Sequence, residues 1–235
     1  MISFDYPYLV ASLVLLTISM TGYWVFPDRR GALFLSGLLS MPSSLTTFYF
    51  VPEYWQPIRL FDFPLGIEDI FFSFSTGMIA WFLMEVRHGN AISETGWSSV
   101  LPRYFKVLAL GIAMIFLMRK IPIMVMNQAL IGITIIGVIL SWNRWRTLPA
   151  AMLAGTAFSI FYTLFMAMIF VIFPDFSIQW THSNLFGFSI LGIPVEESLW
   201  AFIFGVCWVI VMVFVFNTKI SVSSDRKYNF PNVWP

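Results

Sequence analysis

The chain has 235 residues, of which 59% are hydrophobic, 19% aromatic and only 11% charged, against about a quarter charged in an ordinary soluble domain. A formal net charge of +1 leaves no basic arm for nucleic acid and no acidic tail. Apolar runs near the length needed to cross about 30 Å of hydrocarbon, at about 1.5 Å of helix rise per residue, recur throughout, so the expected class is an all-α polytopic membrane protein, residues 1–216 forming one transmembrane domain in contact with membrane lipid.

Seven spans are expected, at about 7–26, 32–51, 66–86, 104–118, 121–141, 149–173 and 194–216. The first has no basic segment ahead of it and no small-residue cleavage site behind it, so it reads as a retained helix rather than a signal peptide. Between the fourth and fifth stand only Arg119, Lys120, Ile121 and Pro122. Two cations followed by Pro suit a turn between antiparallel helices, and a merger there would leave six spans. With the N-terminus outside, the inner segments carry Arg29, Arg30, Arg87, Arg103, Lys106, Arg144, Arg146, Lys219, Arg226 and Lys227, and the outer ones only Arg59, Arg119 and Lys120. Ten against three favours N-out and C-in, in a cell inner or plasma membrane. Residues 217–235 read as a short inner tail without structure of its own.

"GIEDIFFSFSTG" (66–77) and "PVEESLWAFIFG" (194–205) align at one constant offset, which pairs Glu68 with Glu196, Asp69 with Glu197, Phe72 with Trp200, Phe74 with Phe202 and Gly77 with Gly205. Upstream, "VPEYW" and "FPDFSIQW" each supply Pro, an acid and a Trp. An internal duplication is expected: two parallel three-helix repeats, about 1–86 and 121–216, joined by a linking helix at about 104–118, with a pseudo-two-fold along the membrane normal bringing the acid pairs to one depth.

Two readings of the acids are open. Pro194 at the first helical position and carboxylates in the first turn make an ordinary helix start, where negative charge complements the macrodipole. Against this, uncharged residues run only from Ile70 to Met84 before Glu85, about 22 Å of helix against about 30 Å of hydrocarbon, which draws Glu68 and Asp69 toward the hydrocarbon edge. Ionisable groups at that depth usually face a protein interior and count as functional candidates. Glu68 shares its stripe with Phe71, Phe72 and Ser75, and Glu196 shares its stripe with Leu199, Trp200 and Ile203, so each leading acid is expected to look onto an apolar, aromatic wall.

An acid among aromatics inside lipid suits proton transfer to a weakly basic alkene. Aromatic faces stabilise the resulting cation without reacting with it, and a second carboxylate takes the proton lost after ring closure. The catalytic candidates are Glu68, Asp69, Glu196 and Glu197. The expected pocket wall is Phe71, Phe72, Trp200, Phe202, Trp55 and Trp180, although Trp55, Trp180 and Tyr54 also read as interface anchors.

The paired acidic helix starts, the Trp-containing loops ahead of them and the duplicated three-helix halves resemble the small integral-membrane lycopene cyclases, in their two-subunit and fused two-repeat forms. The resemblance spans nearly the whole chain. It implies a carotenoid cyclase that closes the open ends of lycopene or a similar lipid-soluble isoprenoid into rings without net redox change, with Glu196, Glu197, Glu68 and Asp69 as proton donor and acceptor. Gly66 stands where the second half has Pro194, Asp69 where it has Glu197, and Trp200 where a Phe is usual in the family.

His182 and Asn184 suit contact with a substrate end or a loop hydrogen bond, and Asn127 a hydrogen bond between helices. Cys207 is a single cysteine in an apolar run, expected to act as a small apolar side chain. His88 and His182 fall on opposite sides, so no metal site based on histidine is expected. Neither a phosphate loop nor a dinucleotide motif appears, so no cofactor is expected. A glutamate-type intramembrane protease would need histidines in later helices. A transporter or a non-enzymatic membrane protein built on the same repeat is the stronger rival, and it requires the acids to line a route open to water on both sides.

Overall fold

Two acid-headed helices organise the packing in the computed structural model, which describes residues 6–88 and 97–218. The α-helices are α1 (Pro7–Val25), α2 (Arg30–Ser40), α3 (Thr47–Phe50), α4 (Ile67–His88), α5 (Trp97–Met118), α6 (Val125–Ser141), α7 (Leu148–Ile172) and α8 (Val195–Val215). α4 packs against α1 and α2, while α8 packs against α7 and α6; α4 also meets α7 and α8, and α5 lies on α6 and α8. Buried Leu15, Leu33, Trp81 and Met84 fill the space around α4, and Phe158, Ile210 and Met212 that around α8.

Among the described residues, five stretches are long and apolar enough to cross a membrane: Pro7–Val25, Ile67–Arg87, Ser98–Met118, Trp145–Ile172 and Val195–Val215. The protein is an all-α membrane protein. α6 is apolar but has 17 residues, near the lower limit for a span.

The run expected as one helix over 32–51 is broken. α2 stops at Ser40, a 3-10 segment covers Met41–Thr46, and α3 has only four residues. Pro42 removes a backbone donor and crowds the preceding turn, and the hydroxyls of Ser43 and Thr46 donate to the carbonyls of Ser40 and Ser43, each at 2.7 Å, which competes with the regular ladder. The fourth span starts earlier than expected, at Trp97, with Pro102 in its second turn. α5 and α6 are separate helices, joined by a turn in which Lys120 and Ile121 N–H donate to the carbonyls of Leu117 and Met118. Most of the expected tail, from Lys219 on, lies outside the described residues.

Ahead of α8, Ser189–Ile190 and Ile193–Pro194 form a small antiparallel hairpin. Its two turn residues, Leu191 and Gly192, have φ of 54° and 82°, the left-handed pair that a two-residue hairpin loop demands.

Each acid-headed helix approaches a neighbour at the glycine aligned in sequence. A Cβ on Gly77 of α4 would lie 2.3 Å from the Cβ of Ser40 on α2, and one on Gly205 of α8 would lie 2.9 Å from the Cα of Gly155 on α7. In lipid, where apolar burial drives no association between helices, small residues at crossings let backbones pack and hydrogen-bond closely. Ser40 Oγ donates to the Ser73 carbonyl at 2.6 Å, and Ser159 Oγ to the Ser198 carbonyl at 2.7 Å. Gly77→Ala and Gly205→Ala should therefore each destabilise the bundle by about 1–3 kcal/mol through overpacking, seen as earlier thermal unfolding in detergent. Gly22→Ala, where an added Cβ meets nothing within 4 Å, should leave the transition in place.

Candidate functional site

The loop after α3 turns Arg59 back toward the first turn of α4. Arg59 Nε pairs with Asp69 Oδ2 at 3.1 Å, both side chains being almost wholly buried, and an Nη of Arg59 donates to Thr47 Oγ1 at 2.6 Å. Asp69 also accepts the Gly66 N–H at 2.7 Å and the Tyr8 hydroxyl of α1 at 3.0 Å. It is therefore at once a helix-start acceptor and one half of a buried ion pair. Its neighbour Glu68 turns to the loop and accepts the Leu60 N–H through Oε1 at 2.7 Å.

The second acid pair is arranged with different partners. Glu197 Oε1 accepts the Tyr54 hydroxyl at 2.8 Å and the Trp180 indole N–H at 3.0 Å, and Oε2 accepts the Tyr162 hydroxyl of α7 at 2.8 Å. All three donors are neutral. Burial, with Glu197 beside it, pushes the Tyr54 phenol up from its ordinary value. Glu196 turns to the loop, where its Oε1 accepts the Phe186 N–H. The second oxygens of Glu68 and Glu196 are both buried without a hydrogen-bond partner among the described residues.

Asp69 and Glu197 line one cavity of about 500 Å³. The expectation that the leading acids face the chamber is thus reversed. The second acid of each pair points inward, because the first is taken up by the N–H of the loop that precedes its helix.

The walls near the acids are aromatic. Phe72 and Trp200, which align in sequence, stack with centroids 5.8 Å apart, and Tyr162 meets both, at 6.2 and 5.4 Å. Trp55 and Trp180 form an isolated antiparallel bridge, with centroids 5.7 Å apart, and Tyr8 sets its edge on Trp55 at 4.7 Å. From Trp200 the stack continues along α8 to Phe204 at 5.1 Å and on to Trp208 at a further 5.9 Å. Of the six expected wall residues, Phe72, Trp200, Trp55 and Trp180 line the cavity, whereas Phe71 and Phe202 do not. In each helix the residue three positions after the inward acid faces the chamber, so Phe71 and Phe202 are rotated off that stripe.

Four further residues matter. Tyr8 and Tyr162 sit in apolar spans, where a phenol needs a buried partner, and that need was their one visible signal. Arg59 read only as one of three outer cations. Phe204 follows Trp200 at helical spacing and is legible as the same face. The interhelical bond expected of Asn127 is made instead by its neighbour Gln128, whose Oε1 accepts the Tyr49 hydroxyl at 2.5 Å; Asn127 borders a shallow pocket beside Glu53 and Asn184. Asn184 ties the two loops together by donating to the Glu53 carbonyl. The side chains of His88 and His182 lie outside the described residues. Cys207 is buried and lines the chamber.

Residues 123–215, the part of the chain that carries Tyr162, Glu196 and Glu197, match the family model described as lycopene cyclase. No curated protein and no solved structure matches the chain.

Removing Arg59 would strand a carboxylate among Tyr8, Thr47 and the α4 backbone. Arg59→Met should destabilise the protein by about 3–5 kcal/mol, the cost of breaking a buried pair from one side. The double variant Arg59→Met/Asp69→Asn should recover a large part of that loss in chemical unfolding, and additive losses would show that the pair is not coupled.

Proposed function

We propose that the protein is a membrane carotenoid cyclase, which protonates the open end of lycopene or a closely similar polyene and closes it into a ring. The observation that carries the reading is the meeting of Asp69 and Glu197, one acid from each acid-headed helix, at the aromatic end of a single apolar chamber. Glu197 is assigned the proton donor. Its partners are two phenols and an indole, a set able to hold the group through gain and loss of a proton with no change of counterion. Asp69, whose charge Arg59 balances, is assigned the acceptor.

The reaction balances without a redox partner. A proton from Glu197 adds to the terminal alkene and leaves a tertiary cation. The π electrons of an internal double bond then attack that centre and form the ring bond, and a proton leaves the adjoining carbon to Asp69 and restores a double bond. Phe72, Trp200 and Tyr162 line the chamber beside the acids, where aromatic quadrupoles would stabilise the cation. One proton gained at Asp69 balances the one lost from Glu197, so a net transfer of that proton from Asp69 to Glu197 returns the two acids to their starting states.

The two halves are read as copies of one ancestral unit, packed about a pseudo-two-fold. The stack of Phe72 on Trp200, the bridge of Trp55 to Trp180 and the close crossings at Gly77 and Gly205 support that reading, since aligned residues occupy matching places. From the distribution of Lys and Arg, the acidic end of the bundle lies toward the outside and the C-terminus toward the cytoplasm. A transport route is disfavoured because the Tyr104 hydroxyl donates to the Leu39 carbonyl across the chamber at the end away from the acids.

Expression in a lycopene-accumulating bacterial host, followed by chromatography of extracted pigment, tests the reading. Wild type should convert lycopene to cyclic products. Glu197→Gln and Asp69→Asn should each lower ring formation by about 100-fold or more, the scale of lost general acid or base catalysis, while Glu196→Gln, whose site bonds only a loop N–H, should keep most of it. Unchanged lycopene with wild type would reject cyclisation of that substrate. Full activity in Glu197→Gln would reject the assignment of donor.

A further inference from the structure

Contacts cross the bundle at both ends of the chamber, and its exposed lining residues lie on one side. At the acidic end, Trp55 and Trp180 form its roof. At the far end, besides the contact of Tyr104 with Leu39, the Trp208 indole N–H donates to Ser36 Oγ at 2.8 Å and links α8 to α2. Between the broken segment Met41–Thr46 and α5 the wall is thin. Leu45 and Ile112 both line the cavity, yet they are 55% and 56% exposed. Gly111 lines it too, and a Cβ built there meets no atom within 4 Å. In a helical membrane protein, exposure on that flank faces lipid tails rather than water.

The depth of the chamber is set by α8. Glu197, Trp200, Phe204, Cys207 and Val211 all line it and follow one helical face, over fifteen residues or about 21 Å from first to last. That is shorter than the roughly 30 Å of the hydrocarbon core, and a long polyene is comparable in length to that core.

We propose that the gap between Met41–Thr46 and α5 is a lateral portal, through which one end of a long hydrocarbon chain passes from the lipid phase to the acids while the rest of the chain stays in the bilayer. Leu45, Gly111 and Ile112 form its rim. Gly111 keeps the passage open because any side chain there would project into it. The identity of the chain as a polyene rests on the function proposed above, whereas the portal rests on the geometry of the cavity. One consequence is that the two ends of a symmetric substrate are served in separate visits, with a singly cyclised product released into the membrane between them.

Photolabelling tests this without reference to turnover. The purified protein in lipid nanodiscs is irradiated with a branched, twenty-carbon hydrocarbon that bears a diazirine near one end, and the sites of carbene insertion are mapped by mass spectrometry. Insertion is expected on the Trp200–Val211 stretch of α8, and its loss is expected in Gly111→Phe and in Leu45→Trp, which fill the rim from opposite sides. Gly22→Phe, on α1 with equally open surroundings, should label as wild type does and serves as the control for folding. Undiminished α8 insertion in both rim variants overturns the portal, as does wild-type insertion confined to outward side chains such as Phe116, 71% exposed. Labelling of α8 with no ring formation from lycopene would reject the proposed reaction and leave the portal standing. Wild-type rates of cyclisation in both rim variants would reject the portal and leave the reaction standing.

Discussion

A carboxyl group buried in a bundle that lies in lipid must find its partners within the protein, because the hydrocarbon supplies neither water nor counterion. Four such groups sit at one end of this bundle, and the architecture there follows from how each is satisfied. The two leading acids take N–H groups from the segments that enter their helices. Asp69 takes a guanidinium, a phenol and a backbone N–H, and Glu197 takes two phenols and an indole. These bonds gather α1, α4, α7, α8 and both long loops around one point. The chamber is the space left between them.

The two inward acids are equivalent by position and unlike in chemistry. Asp69, shorter by one methylene, stays close to the α4 start, where it receives both the Gly66 N–H and Arg59. Glu197 reaches further, to groups drawn from the other half of the chain as well as its own, since Tyr54 precedes α4 and Tyr162 belongs to α7. The bundle thus presents one acid matched to a fixed positive charge and one matched to neutral, polarisable donors. The difference in partners, more than in the acids, separates the two sites.

The aligned motifs made the acid-headed helices and most of the aromatic wall legible from the chain alone, because helical period acts locally. The inward direction of Asp69 and Glu197 was not legible. It depends on which backbone N–H the preceding loop presents, and loops of different length deliver Leu60 to Glu68 and Phe186 to Glu196 by different paths. Arg59 escaped for a related reason. As a sequence feature it is one outer cation among three, and only the fold of 52–65 brings it under α3 to meet Asp69 and Thr47. Residues 123–215 carry enough of the family pattern to match its model, and Glu197 stands within them while Asp69 does not.

The break after α2 connects packing to access. A regular helix through 32–51 would carry its side chains straight past α4 and present a continuous rod to α5. Instead Pro42 and the backbone-directed hydroxyls of Ser43 and Thr46 tighten the chain into a 3-10 segment, whose three-residue repeat and longer rise shift the residues that follow. Tyr49 and Thr47 are thereby turned toward Gln128 and Arg59, while Leu45 is left on the rim between cavity and lipid. The same irregularity that lends Arg59 a partner beside Asp69 opens the flank of the chamber, so the polar anchoring of one acid and the route by which an apolar chain reaches it have a common structural origin.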